Sequence, residues 1–210
     1  MKRVYVNGGS FFRDTTQTIS LNLEKYQSNI VTCNESGAAK SNETIALEVY
    51  KNIHNYDIFV LGFTYADRFP LLLGDHTIEM TIGREIDGIL PLPKFVDNAD
   101  FLEAQIQKYK DLHYKFFSNT EYNTLRSRFL IESTINLLKI NNKQYILSSS
   151  GFVTGIEYTP NWFHDPTKGI YSLTNKLWYP YIDHTTHLNA QGLELLAEDV
   201  CNFGQKLNIW

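Results

Sequence analysis

The sequence predicts an α/β protein whose central parallel β-sheet is covered by helices on both faces. Two observations support this fold class. Short apolar runs of strand length alternate with longer segments whose apolar residues recur at helical spacing. In addition, residues 57–63 are almost continuously apolar, as expected for a strand that is buried on both faces of a parallel sheet. The 210 residues are 43% hydrophobic, so we expect one domain spanning residues 1–210.

Three strands are predicted in the first third of the chain. Residues 4–6 are β-branched or aromatic and end at an Asn-Gly-Gly turn. Residues 29–33 repeat the pattern and lead into a loop of small residues at 36–39. Residues 57–63 form the third and strongest strand.

A helix is predicted between the second and third strands. Ser41 or Asn42 can cap its first turn, and it is expected to end near Asn55. Its apolar stripe consists of Ile45, Val49 and Ile53, with Ala46 and Tyr50 beside them.

The second half of the chain is predicted to combine two irregular excursions with further helices and one strand. Residues 64–98 contain repeated Gly and Pro, which indicates a lid, a pocket wall or a hidden hairpin. Residues 100–140 are predicted to be helical, in two pieces broken near residues 118–120. A strand at 144–148 and an aromatic-rich excursion at 149–182 precede the last helix. The apolar stripe of that helix includes Leu193, Leu196, Ala197, Val200 and Leu207.

Composition excludes several classes of function. The formal net charge of -4 is spread without blocks, so neither nucleic acid nor a membrane is an expected partner. Cys33 and Cys201 have no companions at metal-ligand spacing, and we expect no metal and no cofactor. The basic start of the chain is interrupted too early for a signal peptide. We therefore expect a cytoplasmic protein, or a phage or virion protein made in the cytoplasm.

Candidate functional residues follow the carboxyl ends of three predicted strands. Ser10, Gly37 and Thr64 each stand just beyond a strand, and ligands of parallel α/β sheets bind at that edge. A fourth segment, from Asp183 to the Gly192 that opens the last helix, contains two histidines. The sequence thus predicts one site built from four loops.

These blocks resemble the SGNH or GDSL hydrolases. The resemblance consists of Gly-Gly-Ser ending at Ser10, Gly37, Gly-Phe-Thr ending at Thr64, and an Asp183 that precedes His187-Leu-Asn-x-x-Gly. Their order extends over residues 4–207. The resemblance implies a three-layer α/β/α sandwich of flavodoxin-like type and a serine esterase or acyl hydrolase. The implied substrate is a small acyl ester, such as an O-acetyl group on a sugar or another polar carrier.

The resemblance also implies a role for each residue. Ser10 is the nucleophile, His187 is the general base and then the general acid, and Asp183 orients His187. The backbone N–H groups of Ser10 and Gly37 form the oxyanion hole, and Thr64 completes it.

The sequence departs from the family at three positions. Gly9 and Thr64 stand where the family has Asp and Asn. The donor lost with the Asn can be replaced by the Thr64 hydroxyl, by Asn42 or by Arg68, and Arg68 also suits an anionic or sugar substrate. The third departure is that Asp183 precedes His187 by four residues rather than three. Either the turn holds one extra residue, or a second histidine, at position 184, exchanges roles with His187.

Four alternatives remain open from sequence alone. The chain could be a catalytically degenerate member of the same fold that binds a glycan or a protein. It could also be a nucleotide-binding domain that uses the Gly8-Gly9-Ser10 turn. Asp183, His184 and His187 could together bind a divalent metal. The aromatic residues Trp162, Trp178, Tyr179 and Tyr181 could line a sugar-binding face or pack the end of the sheet.

Overall fold

The fold was analysed in a computed structural model of the chain. The structure describes residues 1–9, 19–37, 40–73, 76–81, 104, 106–109, 111–112, 115, 119–150, 153–169 and 188–210. The strands are β1 (Lys2–Gly8), β2 (Ile30–Asn34), β3 (Ile58–Phe63), β4 (Arg68–Leu73), β5 (His76–Thr81) and β6 (Gln144–Ser149). The helices are α1 (Ile19–Tyr26), α2 (Asn42–Asn52), α3 (Thr120–Ile140) and α4 (Ala190–Lys206).

Within the described ranges, the main sheet has four strands in the order β2-β1-β3-β6, and the pairings between them are parallel. Successive side chains of a strand point to opposite faces, so β1 contributes to two separate cores. Val4 and Val6 pack with α1 and α4 on one face. Tyr5 packs with α2 and α3 on the other face. The predicted α/β class, with a parallel sheet between two helical layers, is confirmed.

The helices begin at capping residues that satisfy backbone N–H groups of the first turn. Ser41 caps α2 and accepts a 3.2 Å hydrogen bond from the Thr44 N–H. Asn119 caps α3, so the predicted helix break at 118–120 coincides with the start of this helix. Asn189 caps α4 and accepts a 3.0 Å bond from the Gly192 N–H. Helix α2 ends at Asn52, before the expected Asn55, because residues 53–55 form a turn.

The first predicted excursion contains the hidden hairpin that its sequence left open. Strands β4 and β5 pair antiparallel, with Arg68 opposite Thr81. Pro70 lies within β4. Proline cannot donate a hydrogen bond to a neighbouring strand, so its presence argues against a strand in the sequence. Residues 82–98, also part of the predicted excursion, lie outside the described residues.

Trp162 extends the sheet from within the second irregular region. Leu147 of β6 forms an isolated parallel bridge with Trp162, and the Phe163 N–H donates a 2.7 Å hydrogen bond to the Leu147 carbonyl. The Trp162 side chain is completely buried and lies 6.2 Å from the Phe63 ring between centroids. Trp162 therefore packs the end of the sheet. The other three aromatic candidates, Trp178, Tyr179 and Tyr181, lie outside the described residues.

Three further observations concern membrane spans, the thiols and the two sides of α3. In the described ranges, no helix is both long enough and apolar enough to cross a membrane. Cys201 is buried, Cys33 is partly buried, and both are free thiols. Leu125 and Phe129 lie on the exposed side of α3, whereas Ile131, Ile135 and Leu138 are buried as their spacing predicts.

Candidate active site

The sheet brings the loops after β1, β3 and β6 together at its carboxyl edge. Gly8 of β1 pairs with Gly62 of β3, and Gly62 pairs with Ser148 of β6. Gly9 continues from β1 and donates a 3.2 Å hydrogen bond to the Gly62 carbonyl. Four of the predicted site residues, Ser10, Asp183, His184 and His187, lie outside the described residues. Their roles therefore remain predictions.

Polar side chains surround Gly9, the residue immediately before Ser10. A Cβ atom built on Gly9 would lie 3.4 Å from Arg68 Nη1, 3.5 Å from Thr64 Oγ1 and 3.6 Å from Ser150 Oγ. The position that is Asp in the resembled family thus faces a guanidinium group and two hydroxyls in this chain. These distances correspond to ordinary van der Waals contact, so the three polar groups border the Gly9 position closely without excluding a Cβ atom from it.

Gly37 connects the loop after β2 to the end of β1. Its N–H donates a 3.0 Å hydrogen bond to the Gly8 carbonyl. An N–H that already has this acceptor can reach an oxyanion only by sharing or exchanging the bond. The position of Gly37 next to β1 agrees with the expected convergence of the loops, and its role as an oxyanion donor stays a prediction.

The Asn42 side chain is hydrogen-bonded to both the N–H and the carbonyl of Thr64. The Thr64 N–H donates to Asn42 Oδ1 at 2.8 Å, and Asn42 Nδ2 donates to the Thr64 carbonyl at 3.0 Å. Asn42 Nδ2 also donates to Ser127 Oγ at 2.6 Å. Asn42 is only 2% exposed, and these contacts use both of its amide hydrogens. Asn42 thus positions the loop after β3, and its predicted role as a replacement donor in the oxyanion hole stays a prediction.

Replacing Asn42 with alanine is expected to lower the free energy of unfolding by about 2–4 kcal/mol, because two buried backbone groups of Thr64 lose their partners. Denaturant unfolding of the variant and the wild-type protein measures the difference. Ser127→Ala is the matched control, since it removes one of these contacts and leaves both bonds to Thr64. Equal effects of the two substitutions would show that the bonds to Thr64 contribute nothing specific.

The Arg68 side chain is fixed at the same edge of the sheet. Its Nη1 donates a 2.6 Å hydrogen bond to Thr64 Oγ1, and its guanidinium carbon lies 5.2 Å from the centroid of the Tyr65 ring. The Arg68 carbonyl accepts a 2.9 Å bond from Arg126 Nη2, which also bonds the Ala66 carbonyl at 3.1 Å. Backbone and side chain of Arg68 are thus both positioned by neighbours.

Two partly buried carboxylates lie at the start of α2, one on the hairpin and one on the helix itself. Glu79 of β5 accepts a 2.9 Å hydrogen bond from the Ser41 N–H at the start of α2. Glu43 of α2 lies 3.0 Å from Arg126 Nε. Burial raises the pKa of Glu79 and of Glu43, and Arg126 partly offsets the shift at Glu43. Glu79 therefore joins β5 to the start of α2, and Glu43 joins α2 to α3.

A buried ionic network supports the loop that contains Gly37. The Lys40 ammonium group contacts the Glu48 carboxylate and the Glu35 carbonyl, and it donates a 3.0 Å bond to Asn7 Oδ1. The Tyr5 hydroxyl donates to Glu35 Oε2 at 2.8 Å. Sequence reasoning missed this network, because its members come from β1, the loop after β2 and α2.

A serine–histidine pair that sequence reasoning did not single out lies at the end of β6. Ser148 Oγ is 2.8 Å from His164 Nε2, which also accepts a 3.1 Å bond from the Ser149 N–H. An Nε2 atom that accepts an amide hydrogen is unprotonated, so Nδ1 carries the proton and donates to the Asp165 carbonyl at 3.1 Å. Burial lowers the pKa of His164, which favours this neutral ring. Ser148 is only 2% exposed and His164 6%, so the pair is a buried hydrogen bond.

No metal site emerges among the residues that are described. In those ranges, no group of three or more His, Cys, Asp and Glu side chains is placed to hold an ion. The alternative metal set of Asp183, His184 and His187 lies outside them.

Comparison with known proteins identifies the fold. No protein-family model and no curated protein matches the sequence. An acetyl xylan esterase, AlAXEase, is 10% identical, with 95% of this chain and 98% of that chain covered and a TM-score of 0.52. The lipase/acylhydrolase from Enterococcus faecalis is 12% identical, with coverage of 99% and 97% and a TM-score of 0.44. Esterase EstA from Pseudoalteromonas sp. is 12% identical, with coverage of 99% for both chains and a TM-score of 0.44.

The likeness to the acetyl xylan esterase defines the class of architecture, an α/β fold with a parallel sheet flanked by helices. This shared fold agrees with the resemblance to the SGNH or GDSL hydrolases that the four sequence blocks indicate.

Proposed function

We propose that this chain is a serine esterase or acyl hydrolase that cleaves a small acyl ester. The main support is the position of Gly9, which precedes Ser10 and lies against Thr64 and Arg68 at the carboxyl edge of a parallel sheet. An acetyl xylan esterase has the same fold. We therefore propose an O-acetyl group on a sugar or another polar carrier as the substrate.

In the proposed reaction, the Ser10 hydroxyl attacks the ester carbonyl carbon while His187 removes its proton. Asp183 holds His187 in the required tautomer and stabilises its charged form. His187 then returns the proton to the departing alcohol, which leaves an acyl group on Ser10. A water molecule then attacks the acyl group while His187 removes its proton. His187 returns this proton to the Ser10 oxygen as the acid is released, which restores the serine.

The proposed oxyanion hole combines backbone and side-chain donors. The Ser10 N–H is one donor, and the Gly37 N–H contributes by sharing its bond to Gly8. Thr64 Oγ1 accepts a hydrogen bond from Arg68, and a hydroxyl that accepts one bond still has its own hydrogen to donate. The Thr64 hydroxyl can therefore replace the side-chain donor that the family takes from Asn.

Labelling with a fluorophosphonate probe tests the proposal. The serine oxygen should displace fluoride from phosphorus, and the modification should map to the peptide that contains Ser10. Ser148→Ala should be labelled like the wild-type protein, because Ser148 is buried against His164. Ester turnover without modification at Ser10 would contradict the assignment. Absence of both labelling and turnover would instead favour the degenerate binding module.

A further inference from the structure

We propose that the outer face of α3 is a homodimer interface, on which the α3 helices of two copies of this chain pair antiparallel. None of the residues involved belongs to the candidate active site, so the interface is independent of the proposed function. It adds to that function an interaction surface and the partner that the surface fits.

Helix α3 carries apolar side chains on both of its sides. On the inner side, Ile131 and Ile135 belong to the core beneath the helix. On the outer side, Tyr122, Leu125 and Phe129 are 56%, 56% and 69% exposed. These three outer positions fall within about 60° of one another around the helix axis, and we call them the α3 stripe. Single exposed apolar residues are ordinary, whereas a contiguous stripe on a helix that is already packed on its other side indicates a binding partner.

The α3 stripe has the composition of the centre of a protein interface. Two of its three side chains are aromatic, and aromatic residues are enriched in the buried centres of interfaces. Leu47 and Tyr50 of α2 are also exposed, by 45% and 66%. Helices α2 and α3 pack on the same face of the sheet, so an interface can extend from the stripe over α2. It can thereby approach the area of about 800 Å² per partner that stable interfaces bury.

Four exposed or partly exposed charged residues run along one edge of the α3 stripe, within about 40° of one another around the helix. They are Glu121, Arg128, Glu132 and Lys139. Glu121 and Lys139 are each nine residues from Leu130, the midpoint of the helix, and Arg128 and Glu132 are each two residues from it. Each acidic residue therefore has a basic residue at the same distance on the other side of the midpoint.

This order of charges is complementary to itself in an antiparallel pair. A two-fold axis at the level of Leu130, perpendicular to the helices, reverses one helix and brings both charged edges to the same side of the interface. Glu121 of each copy then faces Lys139 of the partner copy, and Arg128 faces Glu132. A parallel pair would place the two edges on opposite sides and leave their charges unmatched. The opposed helix dipoles also favour the antiparallel arrangement.

The same symmetry identifies the partner as a second copy of this chain. A two-fold interface uses one surface patch twice, so the patch must complement itself, and an unrelated partner or a lipid surface requires no such order. Arg128 already pairs with Glu132 of its own helix at 2.8 Å. Two such pairs meeting at the axis form a group of four alternating charges.

Sedimentation velocity over a concentration series tests the interface, and the wild-type chain should show a monomer–dimer equilibrium. Leu125→Glu should weaken dimerisation about 30-fold or more, because it places a charge in the buried centre of the interface. Leu21→Glu is the matched control. Leu21 is also 56% exposed but lies on α1, which packs on the opposite face of the sheet, so dimerisation should not change. Both positions are exposed, and thermal unfolding should verify that both variants are folded.

Exchange of charges tests the antiparallel register. In Glu121→Lys, and equally in Lys139→Glu, like charges face each other at both ends of the pair, so each variant alone should dimerise about 10-fold more weakly than wild type. An equal mixture of the two variants restores opposite charges at both ends. We expect heterodimers to predominate in the mixture, with an affinity close to that of wild type. Native mass spectrometry distinguishes the heterodimer once one variant carries a tag.

Several results would overturn the proposal. A wild-type chain that stays monomeric at every concentration has no such interface, and if it instead binds neutral lipid vesicles through Leu125, the stripe docks to a membrane. A dimer that Leu125→Glu leaves intact forms through another face. Charge variants that show no preference for each other refute the antiparallel register. None of these measurements depends on ester hydrolysis, so they fail or succeed separately from the proposed function.

Discussion

Replacing Ser10 with alanine is expected to reduce kcat for hydrolysis of 4-nitrophenyl acetate by about 10⁴-fold or more, because the proposed nucleophile is lost. Substrate binding should change little, since the other groups of the site are retained. Initial rates at saturating substrate measure the effect, and circular dichroism verifies that the variant is folded. This is the largest functional effect that follows from the proposed mechanism.

The matched control is Ser148, whose Oγ atom lies 2.8 Å from His164 Nε2. Ser148→Ala removes the hydroxyl that contacts His164 Nε2, and both residues are buried. Its turnover should stay within about two-fold of wild type. If Ser148→Ala were inactive while Ser10→Ala remained active, the catalytic dyad would be Ser148 and His164, and the assignment of Ser10 would be wrong.

Replacing Trp162 with alanine is expected to lower the free energy of unfolding by about 3–5 kcal/mol. The side chain is completely buried and packs against Phe63, so the substitution leaves a large cavity at the end of the sheet. Guanidinium chloride unfolding should show a lower midpoint with an unchanged slope. The same substitution should loosen the segment that is bridged to β6 at Leu147.

Trp162→Phe separates packing from hydrogen bonding. Within the described part of the chain, Trp162 Nε1 makes no hydrogen bond, so its replacement by phenylalanine leaves no acceptor without a donor. The free energy of unfolding should therefore fall by only about 1–2 kcal/mol, because the side chain is smaller. An alanine variant as stable as the phenylalanine variant would mean that the cavity collapses at little cost. A loss below about 1 kcal/mol for alanine would show that Trp162 is not part of the cooperative core.

Local patterns in the sequence were sufficient to predict the main strands and helices of the fold. Strand β3 was predictable because every one of its residues is buried, which makes its whole sequence apolar. Helix α4 was predictable because Asn189 caps it and its buried residues recur at helical spacing. The placement of Thr64 just beyond β3 followed from the same reasoning, since a parallel sheet collects its loops at one edge.

The contacts that shape the candidate site could not be predicted, because they join residues far apart in sequence. Ser41 and Asn42 were equivalent as capping candidates, yet only Ser41 caps α2. Asn42 is therefore available to bind the loop at Thr64, 22 residues away in sequence. Similarly, no periodicity indicates that Arg126 of α3 supports the carbonyl of Arg68.

The neutral His164 ring offers a spectroscopic consequence. Both of its nitrogens are hydrogen-bonded and the ring is buried, so its Nδ1 proton exchanges slowly with water. Such a proton gives a resolved nuclear magnetic resonance signal well outside the amide region. Because Ser148 and Ser149 end β6 at the same edge as Gly9, this single resonance would report whether the edge stays intact while substrates or inhibitors are titrated.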